Sequence, residues 1–257
     1  PSLSLSIIFL NSLLLTKVAS DYASDVMVYK EAKFSVVKNA GVVYGQGLTC
    51  TGHNTGCSAM NLTLDVYMPQ TTPFNTAAGP EKLPAYILAH GGGNTAGNSS
   101  YFAMVQSAHF FASRGFVAFS INYRLSGDKG LFPPSSLSTA SGWRPGWTSG
   151  YPAVRDFKAA VRYVKANAAA YGVDPSRVVI SGGSAGATDA LATAVTFESD
   201  YKDELRETDW TLNTTHLEET SNVSCVVSHW AASGLITMPQ QRDPQNRTRY
   251  RASNPSI

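Results

Sequence analysis

The chain has 257 residues, which is enough for one large domain with a sizeable buried core, so a marginal miniprotein is excluded. Lys and Arg number 20 against 18 Asp and Glu, and a net charge of +2 argues against a nucleic-acid partner held through its phosphates. Charged residues make up only 15% of the chain, and the 21 glycines, 13 prolines and three cysteines exclude collagen-like, disordered and disulfide-dense classes.

The N-terminal stretch has the pattern of a secretory signal. Residues 3–15 are apolar and serine-rich, and Lys17 is followed by small residues up to Ser20. This pattern indicates the apolar region and cleavage site of a signal whose basic start is missing, with a buried N-terminal helix as the alternative. We therefore expect a truncated signal peptide over residues 1–20 and an incomplete domain over residues 21–257. The expected location is the secretory lumen or the exterior, with no membrane span after signal removal.

Asparagine sequons agree with a secretory route, and glycans would help to keep a weakly charged chain soluble. Five N-x-S/T sequences occur, at Asn61, Asn98, Asn213, Asn222 and Asn246.

Two of the three cysteines lie close together in a stretch rich in Gly, Thr and Asn. Cys50 and Cys57 are predicted to close a short disulfide in an oxidising compartment. His53 between them suggests a metal site, but three ligands without a fourth make a poor zinc site, so no metal is predicted. Cys225 stands in an apolar run and is predicted to be a buried free thiol.

The first half of the chain changes from edge-strand to buried-strand patterns. Residues 25–37, 41–44 and 61–69 predict antiparallel edge strands. Residues 83–89 and 116–123 are continuous apolar runs that predict strands buried on both faces, with a helix over residues 101–113 between them. Strand, helix and strand in this order imply a parallel crossover.

The second half continues the alternation after a Pro- and Ser-rich stretch at residues 126–150. A helix ending at Gly172 is predicted from helical spacing: Val154, Phe157, Val161 and Val164 share one face, and Arg155, Lys158, Arg162 and Lys165 lie mostly on the other. A strand at 177–180, a helix to about Val195, a charged insertion at 198–222 and a buried strand at 223–231 follow.

Two glycine motifs stand at the ends of buried strands. Gly182-Gly183-Ser184-Ala185-Gly186 matches G-x-S-x-G between a predicted strand and a predicted helix, which makes Ser184 the candidate nucleophile; an ordinary glycine-rich turn is the alternative. The run His90-Gly91-Gly92-Gly93 brings backbone N–H groups to an oxyanion, so Gly91 and Gly92 with Ala185 are the candidate oxyanion hole. A dinucleotide fingerprint fits poorly because no acidic residue follows at the required distance, so no cofactor is predicted.

Taken together, these motifs resemble the α/β-hydrolase superfamily, and more narrowly carboxylesterases of the hormone-sensitive-lipase and feruloyl-esterase-like groups. Segments 64–69, 90–93, 122–125, 171–175 and 182–186 carry the resemblance in the family's order. It implies an α/β-hydrolase fold, in which helices flank a mostly parallel central sheet. The C-terminal strands of this sheet are expected to be missing. It also implies cleavage of a small-molecule carboxylic ester through an acyl-enzyme on Ser184, without metal or organic cofactor; the oligomeric state stays open.

The resemblance has gaps. Asn94 and Gly183 replace an aromatic residue and an acidic or polar residue that are common in relatives. The family places its acid and then its histidine after the serine, yet His216 and His229 are poorly placed, and Asp189 and Asp243 do not fit the acid position.

We therefore expect an inactive fragment truncated at both ends. An arylformamidase or serine peptidase, or a non-catalytic binding domain on the same fold, are alternatives. Trp143 and Trp147 either line an acyl pocket or pin a long loop to the sheet.

Overall fold

The computed structural model describes residues 31–52, 54–70, 75–76, 79–80, 82–132, 145–202 and 205–231. Several sequence predictions fall outside this part of the chain: the signal segment, His53, Trp143, the side chain of Trp147, Asp243 and Asn246.

The described residues include eight strands and four α-helices. The strands are β1 (Val36–Gly52), β2 (Thr55–Pro69), β3 (Asn75–Thr76), β4 (Gly79–Pro80), β5 (Leu83–Ala89), β6 (Val117–Ile121), β7 (Val173–Gly183) and β8 (Cys225–His229). The helices are α1 (Phe102–Ala112), α2 (Pro145–Ala166), α3 (Ala168–Tyr171) and α4 (Ala185–Val195).

Six of the strands form one mixed sheet in the order β1-β2-β6-β5-β7-β8, and β3 pairs with β4 separately. The β1–β2 and β2–β6 pairs are antiparallel. The β6–β5, β5–β7 and β7–β8 pairs are parallel. Ala89 at the end of β5 stands beside Ile121 of β6 and Gly182 of β7, so the parallel strands end at one sheet edge. The predicted α/β architecture is confirmed.

The antiparallel edge differs from prediction at both ends. Cys50 and Cys57 lie opposite each other within β1 and β2 rather than in a loop, with an S–S distance of 2.07 Å. The strand predicted over residues 25–37 is wrong at residues 31–35, which are not in a strand, and is confirmed only at Val36 and Val37, where β1 begins. There the N–H groups of Lys33 and Phe34 donate to the Ser113 carbonyl at the end of α1 instead of joining the sheet.

The central strands are buried because helices cover both sheet faces. Ile87 of β5 and Phe119 of β6 pack with Phe157 of α2 in the main core. On the opposite face, Tyr86 of β5 packs with Ala108 of α1. Strands covered on both sides need continuous apolar runs, which is the pattern that identified β5 and β6 in the sequence.

The polar face of α2 is also buried, which the amphipathic pattern did not indicate. Arg155, Lys158 and Arg162 are 4%, 1% and 2% exposed. Arg155 forms an ion pair of 2.6 Å with Asp209, and Arg162 Nε donates to the Thr215 carbonyl at 2.8 Å. The charged insertion therefore folds over α2 and supplies partners to its cations, while Arg155 Nε and NH2 and Arg162 NH1 have no hydrogen bond among the described residues.

The last described strand is exposed, so its predicted burial is wrong. Within the described residues β8 pairs with β7 alone, and a strand with one neighbour keeps an open edge. Cys225 is an exposed free cysteine rather than a buried thiol, and His229 is exposed as well. Across the described ranges, none of the helices has the length and apolarity needed to cross a membrane.

Candidate active site

Ser184 stands on a sharp turn between β7 and α4. Its side chain is exposed, and its backbone adopts φ 53° and ψ −119°. A non-glycine residue with this backbone is strained, and such strain collects at functional sites. The Ser184 N–H donates to the His229 carbonyl at 2.9 Å, which ties the turn to β8.

Glycines allow this turn to pack closely. A Cβ on Gly186 would overlap the carbonyl oxygens of Ala89 and His90, and a Cβ on Gly182 would overlap the backbone of Gly186. The start of α4 therefore lies directly against the end of β5. At Gly183, by contrast, a Cβ would make an ordinary contact of 3.7 Å with the Trp230 ring.

The glycine loop after β5 lies beside the serine. A Cβ on Gly91 would stand 3.3 Å from the Ser184 Cβ and 2.9 Å from the Gly183 carbonyl oxygen. Gly92 has φ +115°, and its carbonyl accepts from the N–H groups of Thr95 at 3.0 Å and Ala96 at 3.2 Å. The loop thus turns back on itself above the sheet edge.

The helix start adds a further donor at the same edge. Ala185 is the first residue of α4, and the first N–H groups of a helix have no partner within the helix. The positive end of the helix dipole also lies there. The three residues predicted to hold the oxyanion, Gly91, Gly92 and Ala185, are thus brought to the sheet edge that carries Ser184, and their role stays a prediction.

His90 supports the loop from below. It is 1% exposed, its ring stacks on Tyr123 at 4.2 Å between centroids, and its Nδ1 is 2.8 Å from the Gly91 carbonyl. The Tyr123 hydroxyl donates to the His90 carbonyl at 2.7 Å. Burial lowers the His90 pKa, so a neutral ring fixes the conformation of the loop.

Neither later histidine ring hydrogen-bonds to the Ser184 hydroxyl. The ring of His216 pairs with Glu218 at 3.2 Å and lines a cavity of about 250 Å³ with Tyr44 and Tyr163, away from Ser184. Among the residues described, no histidine ring and no carboxylate hydrogen-bonds to the Ser184 hydroxyl. The same residues contain no group of three His, Cys, Asp or Glu placed to hold a metal ion.

Sequence reasoning missed a buried polar pair beside this site. Asn94, with φ 55°, is 6% exposed, and its Nδ2 donates to Asp189 Oδ1 at 3.4 Å. Asp189 is 1% exposed on α4, and burial raises its pKa to about 8, opposed by the Asn94 hydrogen bond and reinforced by Asp156. The only signal in the sequence was an acid inside an alanine-rich helix.

Arg124 follows β6 in one of the motifs that carried the family resemblance, and it anchors the wall behind the site. It is 2% exposed, and its guanidinium pairs with Asp156 of α2 at 2.6 Å. Its NH1 group donates to the Leu48 carbonyl of β1 at 3.0 Å, and a Cβ on Gly47 would lie 2.6 Å from its Nε. One side chain thus joins the hairpin, the sheet and α2.

Comparisons with known proteins agree with the motifs. Residues 142–254 match the BD-FAE family model. The chain is 32% identical over 126 residues to gut esterase 1 of Caenorhabditis elegans, covering 49% of this chain and 19% of the relative. It is 34% identical over 149 residues to esterase FE4 of Myzus persicae, covering 58% of this chain and 23% of the relative. The matched stretches thus span about a fifth of these relatives' length.

A solved structure described as a truncated form of a carbohydrate esterase from gut microbiota is also similar. It has a TM-score of 0.48 and 22% sequence identity, covering 78% of this chain and 58% of that structure.

Proposed function

We propose that this chain is the nucleophile-bearing part of a serine esterase. The premise is that the chain is a member of the α/β-hydrolase superfamily and is similar to carboxylesterases. The observation that carries the proposal is the strained turn of Ser184 beside Gly91. An exposed hydroxyl at this turn, next to a glycine loop and a helix start, is the arrangement that acyl transfer needs.

In the proposed reaction the Ser184 hydroxyl oxygen attacks the carbonyl carbon of a small-molecule carboxylic ester. The N–H groups of Gly91, Gly92 and Ala185 stabilise the oxyanion of the tetrahedral intermediate. Collapse of the intermediate expels the alcohol and leaves an acyl-enzyme, which water then hydrolyses. No metal or organic cofactor takes part in these steps.

The histidine and acid that activate Ser184 lie, in this proposal, outside the described residues. The four described histidines are His90, His109, His216 and His229, and none hydrogen-bonds to the Ser184 hydroxyl. Without its base, a triad enzyme keeps only the catalysis that the oxyanion hole and substrate binding supply, roughly a thousandfold to ten-thousandfold over water. We therefore expect the 257-residue chain alone to turn over esters poorly.

The test uses the full-length parent protein with a fluorophosphonate probe and matched ester and amide substrates. We expect labelling and ester hydrolysis, and loss of both in Ser184→Ala. Ser228→Ala removes an exposed serine of the neighbouring β8 and serves as the matched control that keeps labelling. Labelling of another serine would overturn the assignment, and faster turnover of the amide would favour an arylformamidase or a peptidase.

We also propose that the parent protein is secreted and glycosylated. Four of the five sequon asparagines lie in the described residues, and all four are exposed: Asn61, Asn98, Asn213 and Asn222. The Cys50–Cys57 disulfide agrees with an oxidising compartment. Intact mass before and after glycosidase treatment, on protein from a eukaryotic secretion host, tests this. An unglycosylated product retaining residues 1–20 would contradict it.

A further inference from the structure

Asn94 and Asp189 form a side-chain link between the glycine loop and the helix that follows Ser184. Asn94 comes directly after Gly93, and its carbonyl accepts from the Ser126 N–H at 2.7 Å, which fixes the far side of the loop. Asp189 lies on α4 five residues after the serine. Any change in this pair therefore acts on the relative position of the candidate oxyanion donors and the nucleophile.

An ionised Asp189 leaves this pair with unsatisfied hydrogen-bonding atoms. Asn94 Nδ2 donates to Asp189 Oδ1, while the second oxygen of each residue, Asn94 Oδ1 and Asp189 Oδ2, is buried without a hydrogen-bond partner among the described residues. An ionised carboxylate is an acceptor only, so it offers nothing to the Asn94 oxygen. Leaving buried polar atoms unpaired is costly.

A proton on Asp189 supplies the missing donor. A protonated carboxyl has one O–H group, and a primary amide has both a donor and an acceptor, so the two groups are complementary in two hydrogen bonds. We propose that Asp189 is held as a neutral carboxylic acid that pairs with the Asn94 amide and positions the glycine loop against the nucleophile helix. Asp189 is thus a positioning residue and not the acid of the triad.

The surroundings favour the neutral form. Two titratable groups interact electrostatically with Asp189: Asp156 of α2 and Tyr123 after β6. The buried His90 ring stacks on Tyr123. The Asp156 carboxyl group, which pairs with Arg124 at 2.6 Å, also raises the Asp189 pKa by Coulombic repulsion. Burial is the largest cause that raises the Asp189 pKa to about 8.

The pairing can be tested without turnover. Infrared spectra of the full chain in D₂O should show a protonated carboxylic acid band at pH 7 that disappears as the pH is raised through about 8. The band should be absent from Asp189→Asn and shifted in Asn94→Ala, which removes the partner but keeps the acid. Absence of a titrating band from the parent, or an unshifted band in Asn94→Ala, would overturn the proposal.

The positioning role rests on the proposed esterase function and is tested in the full-length parent. We expect the parent's kcat to decline near pH 8 as Asp189 loses its proton. Asp189→Asn keeps a donor at all pH values, so it should lose this decline. It should also rescue kcat at least tenfold over Asp189→Ala, with KM similar in both, because the oxyanion donors act in the transition state. A parent kcat without an alkaline decline, or a decline retained in Asp189→Asn, would overturn the role.

Failure of the proposed function gives a different result. In that case the parent neither hydrolyses esters nor binds the fluorophosphonate probe, while the infrared band still reports whether the neutral pair exists.

Discussion

The backbone N–H of Ser184 donates to the carbonyl oxygen of His229 at 2.9 Å, one position beyond the last residue pair of β7 and β8. The strained turn therefore hydrogen-bonds to β8 on one side and packs against the glycine loop on the other. A residue in an unfavourable backbone region costs about 1–3 kcal/mol and persists only when its surroundings hold it.

This strain predicts a difference in stability between two variants that both lack the hydroxyl. Ser184→Gly removes the hydroxyl and relieves the backbone, whereas Ser184→Ala removes the hydroxyl and keeps the strain. We expect the glycine variant to have a free energy of unfolding about 1 kcal/mol above that of the alanine variant. Urea unfolding of both variants measures the difference. Equal stability would mean that Ser184 stores no strain.

The close packing of α4 on β5 predicts that alanine substitution strongly lowers stability at one glycine and only slightly at another. Gly186→Ala would drive its methyl group into the carbonyl oxygens of Ala89 and His90, while Gly183→Ala meets only the Trp230 ring at 3.7 Å. We expect a loss of about 3 kcal/mol or more for Gly186→Ala, and less than about 1 kcal/mol for Gly183→Ala. Thermal unfolding of the two variants checks this, and similar midpoints would contradict it.

The buried ion pair behind the site predicts a large penalty when it is broken. Asp156→Ala leaves the Arg124 guanidinium buried without its carboxylate, which should cost about 3–5 kcal/mol of unfolding free energy. Glu207→Ala also removes one acidic group, but from an exposed position, and is the matched control with no measurable effect expected. Chemical denaturation of both variants decides, and a loss under about 1 kcal/mol in Asp156→Ala would contradict the prediction.

The lowered pKa of Asp65 predicts that the protein loses stability in acid. Its burial raises its pKa, but the ion pair with Lys38 at 2.8 Å and the hydrogen bonds from Gly41 N–H and Ser100 outweigh burial and lower the pKa overall. The carboxylate thus stabilises the fold above the unfolded aspartate pKa of about 3.9, and this contribution disappears as the pH falls through the lower folded value.

Two variants test the direction of this effect. Asp65→Asn should lower the unfolding free energy at pH 7 by about 1–3 kcal/mol and reduce its fall below about pH 4. Lys38→Met keeps the carboxylate and removes its cation, so the folded Asp65 pKa should rise toward the unfolded value, and the variant should lose less unfolding free energy than the parent as the pH falls below about 4. Urea titrations between pH 3 and pH 7 measure the unfolding free energy of each variant as a function of pH. Parallel pH dependences for the parent and Asp65→Asn would contradict a lowered pKa of Asp65.

Local patterns were enough to predict the parts of the fold that local physics controls. The run at residues 83–89 matches β5 because a strand covered on both faces needs continuous apolar residues. The turn at Ser184 could be anticipated because its close contacts admit only glycine at Gly182 and Gly186. Such requirements are visible in the sequence itself.

Long-range relationships were not visible in this way. The cations of α2 look like a solvent-facing stripe, and only the folded insertion shows that Arg155 and Arg162 are buried against it. The Asn94–Asp189 pair joins residues 95 positions apart, and neither residue belongs to a recognised motif. Burial of Cys225 was predicted from apolar neighbours, yet exposure depends on which strand lies alongside.

The sheet order also has a kinetic consequence. The β1–β2 hairpin joins neighbouring segments and can form early, but β5 must pair with β7, which begins about 90 positions later. Closing so long a loop costs chain entropy before any contact compensates for it, which slows folding. During synthesis one edge of β5 therefore stays unpaired until β7 is made, and the strained backbone of Ser184 cannot be held by β8 until residue 229 has been added.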